Sequence, residues 1–159
     1  MSVFGAYGVQ NIQSVLYYGL HALQHRGQEG AGIVTFTEDG TSFRQRGLGL
    51  VSEVFNASNL SKLQGNIGIA SVQYANKNKG GLDNVEPYFF HHKYGDFAIA
   101  NDGDLINGSD IPSSPSSCFI CWDNVLWVIF STREASEKFL SSATLTKYFS
   151  CLNSMMFFL

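Results

Sequence analysis

The sequence is short of charge, of proline, of cysteine and of long apolar runs, and each shortage removes a class of protein. Only 14% of its 159 residues are charged, the formal net charge is −3, and no run of lysine or arginine occurs. It therefore carries no electrostatic footprint for nucleic acid. At 45% hydrophobic residues it also lies far from disordered polyelectrolytes. The longest uninterrupted apolar run, Val125-Leu-Trp-Val-Ile-Phe130, is strand-sized, against the roughly 18 residues of a membrane-spanning helix. No basic stretch followed by an apolar one marks a signal peptide. Three cysteines cannot pair off into a disulfide framework. Cys118-Phe-Ile-Cys121 is one CxxC without a second pair, which is half the ligand set of a structural zinc site. No metal, cofactor, nucleic acid or membrane partner is expected, and a reducing cytoplasm is the expected compartment.

A further absence divides the chain. All sixteen glycines lie at or before Gly108, whereas both tryptophans, Trp122 and Trp127, and all three cysteines follow it. Residues 1–108 and 109–159 are read separately for that reason. The second part, with two of the three prolines (Pro112, Pro115), reads as a divergent tail of the kind that a frameshift or loose packing leaves. Its clearest signals are a buried strand at Val125–Phe130 and weak helical character over Ala135–Phe149.

In the first part, Val3–Tyr7 reads as a strand. Asn11 is placed to cap a helix whose apolar residues Ile12, Val15, Leu16, Leu20 and Leu23 follow the 3.6 period and which stops near Gly27. His25-Arg-Gly-Gln-Glu-Gly-Ala-Gly32 reads as a loop, because three glycines in six residues suit close approach or unusual backbone angles better than a regular element. Asp39-Gly40 predicts a hairpin between Ile33–Thr37 and Ser42–Arg46. Gly47–Leu50 reads as a flexible stretch, Ser52–Phe55 and Ser58–Leu63 as short helices with Ser58 as N-cap, and Ile67–Tyr74 as a strand. Ala75–Glu86 reads as a loop. Pro87–His91 and Phe97–Ala100 are expected to pair across Lys93-Tyr94-Gly95, with Asp102-Gly103 a tight turn. Strand, helix and then hairpin-linked strands predict an α+β fold built on antiparallel sheet.

The order and spacing of three features carry the chemistry: the glycine-spaced N-terminal strand, the HRGQEGAG loop, and the Asn101-Asp102-Gly103 turn after a strand. Tyr18-Gly-Leu-His-Ala-Leu-Gln-His-Arg-Gly-Gln-Glu-Gly-Ala-Gly-Ile33 and Gly47-Leu-Gly-Leu-Val-Ser-Glu-Val-Phe55 closely resemble the class II glutamine amidotransferase domain of the amidophosphoribosyltransferases. Gly65–Ile69, Val85-Glu-Pro87 and Gly103-Asp-Leu-Ile-Asn107 continue the resemblance, which covers residues 1–108. It implies an N-terminal-nucleophile (Ntn) fold, a four-layer αββα sandwich with antiparallel sheets, here truncated. It also implies an activity, the hydrolysis of glutamine to supply ammonia for phosphoribosylamine formation in purine synthesis. In such domains an N-terminal cysteine thiolate attacks the amide with its own α-amine as base. An asparagine and a glycine N–H form the oxyanion hole, and an arginine grips the glutamine carboxylate.

At the matching positions this chain departs from that pattern. Met1 stands at the cysteine position, and a thioether cannot form a thioester. Gln73 stands at the carboxylate-binding arginine, a loss of about 2–3 kcal/mol of binding if the contact is bidentate. Asp102 stands at the oxyanion asparagine, beside Gly103. Losing such a donor alone costs about two to three orders of magnitude in rate, and a carboxylate adds repulsion. Arg26, Tyr74 and Gly103 remain of the family type, with Arg26 either a substrate-binding residue or a clamp on loop carbonyls. Ser2, a candidate nucleophile should Met1 be removed, lies one residue along the strand and so on its opposite face. Phe130-Ser-Thr-Arg-Glu-Ala-Ser-Glu137 is only a faint echo of the family segment that holds the glutamine amine.

The remaining polar residues have plainer roles. His21 and His25 read as packing or hydrogen-bonding residues. His91 and His92 fall on opposite strand faces. Asp102 and Asp104 suit a self-bonding turn, and Ser52-Glu53 suits a helix start. The chain is thus expected to be a truncated, inactive relative of the amidophosphoribosyltransferases, with glutamine the one ligand it could retain. The alternative is a non-catalytic interaction module that pairs with a full-length enzyme.

Overall fold

Strand β1 (Ser2–Tyr7) forms one edge of a four-stranded sheet of order β1-β4-β2-β3, with β2 at Gly30–Phe36, β3 at Ser42–Leu48 and β4 at Ile67–Gln73. All of its pairings are antiparallel. A three-stranded antiparallel sheet, β5-β6-β7, consists of Tyr88–Phe90, Phe97–Asn101 and Leu126–Phe130. The computed structural model describes residues 1–74, 81–91, 93, 95–102 and the backbone of 126–130.

Side-chain alternation along β1, β2 and β4 divides the first sheet into two working faces. Ala31, Ile33, Ala70 and Val72, with Phe4 and Ala6, pack under α1 (Ile12–Leu23), which contributes Ile12, Leu16 and Leu20. Those three helix residues recur at four-residue spacing and are wholly buried, the apolar stripe that the helical period demands. The opposite face presents Val3, Val34, Phe36 and Ile69 to Ala98, Ala100 and Phe89 of the second sheet, with the rings of Phe36 and Phe89 stacked. Every residue of β2 and β4 is buried, so both read as apolar runs without polar alternation. The described layers are therefore helix, sheet, sheet, the α+β antiparallel sandwich expected from the sequence.

The hairpin at Asp39-Gly40 forms as read. Gly40 has φ +87°, and the Asp39 carboxylate accepts from the hydroxyls of Thr37 and Thr41. Those bonds hold its carboxyl below the ordinary carboxylate range. Three local expectations need correction. Asn11 does not cap α1 with its side chain; it sits at φ +54°, a left-handed conformation that Asn tolerates, and its carbonyl accepts from Ser14 and Val15. The short helices are α2 (Val51–Val54) and α3 (Ala57–Leu60), and the N-cap of α3 is Asn56, not Ser58. Asn56 accepts from the Asn59 N–H at 2.9 Å, which removes the need for a serine there. Finally, Gly30-Ala31-Gly32 is not loop but the start of β2.

The strand expected at Val125–Phe130 forms as β7 and pairs with β6, so the second sheet takes one strand from beyond the composition break. Gly103, His92, Asp104, the three cysteines and the helix expected at 135–149 lie outside the described residues.

Candidate functional site

The segment after α1 is held on three sides. Gln24–Arg26 forms a 3-10 turn. The Gln24 amide donates to the Gly27 carbonyl at 2.6 Å, and its oxygen accepts from the Val51 N–H at 2.7 Å. The Gly49 N–H donates to the Glu29 carbonyl at 3.0 Å. The two glycine-rich motifs are thus one clamp, with Gly49 bonded to the HRGQEG segment and the start of α2 bonded to Gln24 just before it. At the end of β4, the Glu29 N–H donates to the Gln73 carbonyl at 3.0 Å, and the Tyr74 hydroxyl donates to the His25 carbonyl at 3.0 Å. A Cβ on Gly27 would lie 2.5 Å from the Gln73 nitrogen. None of Gly27, Gly30 or Gly32 has a positive φ; Gly27 and Gly32 are small because other backbone crosses them, and Gly30 because the Val85 and Gln73 side chains press on it.

That clamp delivers Arg26 to the end of β6. Its guanidinium donates to Asp102 Oδ2 at 3.1 Å, and Asp102 Oδ1 lies 3.8 Å from the Met1 nitrogen. Met1, Arg26 and Asp102, far apart in sequence, therefore meet. The Arg26 side chain is half exposed, which makes the pair weak in stability terms. Arg26→Met should shift the urea unfolding free energy by less than about 1 kcal/mol; a loss several times larger would show that the pair holds the fold.

Gln73 is buried, and both ends of its amide are taken. Nε2 donates to the Asn84 carbonyl at 2.8 Å and Oε1 accepts from the Glu86 N–H at 3.3 Å. Tyr74 holds the His25 carbonyl and is half exposed. Ser2 shares strand parity with Phe4 and Ala6, which pack toward α1. It is 2% exposed, on the face away from Val3 and the second sheet. His91 bonds Asp96 at 2.8 Å and meets the Phe89 ring edge-on. Glu53 accepts from the Leu50 N–H at 2.8 Å, the helix-start role read for it. Among the described residues no group of three or more His, Cys, Asp or Glu is placed to hold a metal ion.

Glu86 was not singled out in the sequence. It follows Val85, precedes Pro87 across a cis peptide bond, and is 6% exposed. Its Oε2 accepts from the Asn101 N–H at 2.9 Å. Burial pushes its carboxyl up to about 7, against the pull of the Asn101 hydrogen bond and the Met1 nitrogen and with a further push from Asp102. Its one sequence signal was membership of the Val85-Glu-Pro87 match. Burial of a carboxylate in a loop has no periodic signature.

A separate cavity of about 220 Å³ opens between β3 and β5, walled by Arg44, Arg46, Tyr88 and Phe89. Its two arginines are already engaged. Arg44 lies over the Phe89 ring, and Arg46 donates to the Val85 carbonyl.

No family model matches the chain. Curated relatives do. The amidophosphoribosyltransferase of Bacillus subtilis is 44% identical over 110 residues, covering 69% of this chain and 23% of its own length. That of Methanothermobacter thermautotrophicus is 36% identical over 151 residues, covering 84% of this chain, more than residues 1–108 supply, and 32% of its own length. Amidophosphoribosyltransferase 2 of Arabidopsis thaliana, named chloroplastic, is 45% identical over 105 residues and 19% of its length. The chain thus spans between a fifth and a third of these relatives. Two solved structures align at 44% identity over 67% of this chain and 23% of theirs. One is described as the allosteric regulatory enzyme of purine biosynthesis, with a TM-score of 0.62. The other is the glutamine phosphoribosylpyrophosphate amidotransferase of B. subtilis with ADP and GMP, with a TM-score of 0.60. Through about two thirds of its length, this chain is homologous to the amidophosphoribosyltransferases, and its fold matches their N-terminal domain.

Proposed function

We propose that the chain is a catalytically silent relative of the glutaminase half of these purine-synthesis enzymes. The observation that supports this most directly is Asp102. The resemblance assigns that position to the oxyanion-stabilising asparagine, and here its carboxylate lies 3.8 Å from the Met1 nitrogen and on Arg26. A developing oxyanion would meet negative charge where it needs a donor. The Met1 thioether offers no nucleophile. The Gln73 amide, at the carboxylate-binding position, is already tied to the Asn84 and Glu86 backbone and brings no positive charge to a ligand carboxylate. Ser2 does not substitute, because its hydroxyl faces α1.

Glutamate release from glutamine is the direct test. Release no faster than a heat-inactivated control is expected; steady release that vanishes in Ser2→Ala would overturn the reading. The alternative, pairing with an intact relative as a non-catalytic module, shares the inert cleft and adds stable copurification with that enzyme. The cytoplasm is the proposed compartment, resting on three cysteines without a disulfide pattern; no helix among the described residues is long and apolar enough to cross a membrane.

A further inference from the structure

Glu86 is a buried carboxyl group that the silent-site reading leaves unused, yet it touches three of the strands around the site, β2, β4 and β6. Its backbone N–H is held by Gln73 of β4. Its carbonyl lies so close to Gly32 of β2 that a side chain there is excluded. Its carboxylate accepts from Asn101, the last residue of β6, and the next residue is Asp102, whose two oxygens face Arg26 and the Met1 nitrogen. One carboxyl group thus fixes where the second sheet ends, and that end places the only described partner of the Arg26 guanidinium. We propose that Glu86 is a proton-sensitive positioning residue. Ionised, it holds the Asn101–Asp102 turn so that Asp102 stays on Arg26; proton uptake loosens the turn and releases Arg26.

The physical basis is the difference between two hydrogen bonds. An N–H donated to a carboxylate is about twice as strong as one donated to a neutral acceptor, and within the sandwich little water competes for it. The charged and titratable groups that face Glu86 are the Met1 nitrogen from β1, Asp102 from the end of β6, and Tyr88 from β5. Arg46 of β3 acts on Tyr88 in turn. The Met1 nitrogen favours the ionised form and Asp102 opposes it. Burial outweighs both and brings the carboxyl to about 7, where a modest pH change alters its charge. The proposal rests on the Arg26–Asp102 geometry of the silent cleft and not on the absence of glutamine hydrolysis. Detection of turnover would therefore leave it standing.

The test is an amide and guanidinium NMR titration of the full chain between about pH 5.5 and 8.5. The Asn101 N–H and the Arg26 Nε–H signals are expected to move together, with one midpoint near 7. Glu86→Gln offers the Asn101 N–H only a neutral acceptor, as the protonated carboxyl does, and has no titrating proton, so both signals should stay flat near their low-pH positions. Glu86→Ala removes the acceptor and should fix both at their low-pH positions; should that variant fail to fold, Glu86→Gln alone decides. Three results would overturn the proposal: flat signals in the unmodified chain, a midpoint that survives in Glu86→Gln, or movement of Asn101 without Arg26.

Discussion

Gly32→Ala should unfold the protein more readily than any surface change, by about 3–5 kcal/mol, measured as the shift in urea unfolding free energy. Gly32 lies in β2 with φ outside the left-handed region, so alanine costs nothing in backbone conformation. The cost is space. An added Cβ would overlap the Glu86 carbonyl group and come within 2.9 Å of Pro87 Cδ. A flexible side chain could turn aside, but a carbonyl cannot move without its peptide plane. The 85–87 segment would have to lift from β2. Lifting it breaks the Glu86 N–H bond to Gln73 and the Glu86 carboxylate bond to Asn101, each leaving a buried polar group unsatisfied. Gly8→Ala is the control. Nothing lies within 4 Å of a Cβ there, and φ is +68°, so only the left-handed penalty of about 1–2 kcal/mol applies. A Gly32→Ala loss no larger than that of Gly8→Ala would mean that the two sheets do not press together at this point.

The same glycine shows how far the sequence could be read. Three glycines in six residues announced that something unusual happens between Gly27 and Gly32, and close approach was one of the two causes offered. The element type was misjudged because glycine weakens a strand by propensity, while two flanking strands and an overlying loop supply enough pairing and packing to override it. Periodicity gave α1, β1, β4 and the Asp39-Gly40 hairpin, all of which depend on local pattern. It could not give the meeting of Met1, Arg26 and Asp102, which depends on how β1 and β6 come together in three dimensions. The resemblance supplied that proximity in advance, and with it the significance of aspartate at position 102. Glu86 escaped both routes. Its importance follows from burial and from one backbone hydrogen bond to a residue fifteen positions away, and neither has a sequence signature. The N-cap of α3 was misplaced by two residues for a smaller reason: Asn56 and Ser58 are both good caps, and only the chain path chooses between them.

Glu86→Gln should stabilise the protein at pH 8 and flatten its stability between about pH 4.5 and 7. In the folded chain the Glu86 carboxyl holds its proton to about 7, against 4.5 for the free side chain. Between those values the folded state binds more protons than the unfolded state, so stability from this group falls as pH rises. Its contribution is complete below the unfolded value and is lost as pH climbs through the folded one. A difference of this size corresponds to about 3 kcal/mol at most, an appreciable share of the roughly 5–15 kcal/mol that holds a domain folded. Glutamine has the same shape, keeps an acceptor for the Asn101 N–H, and has no charge to bury. At pH 8 it should therefore unfold at higher urea, by about 1–3 kcal/mol, with the gain vanishing as pH falls toward 4.5. Asp39 has the opposite linkage: its carboxyl is held below the ordinary range, so its contribution is lost on acidification below that window and does not mask the slope. Equilibrium urea unfolding of both proteins at closely spaced pH values measures the difference. Parallel curves for the two, with no convergence on acidification, would mean that Glu86 is ionised in the folded chain throughout, and that water reaches the carboxyl despite its burial between the sheets.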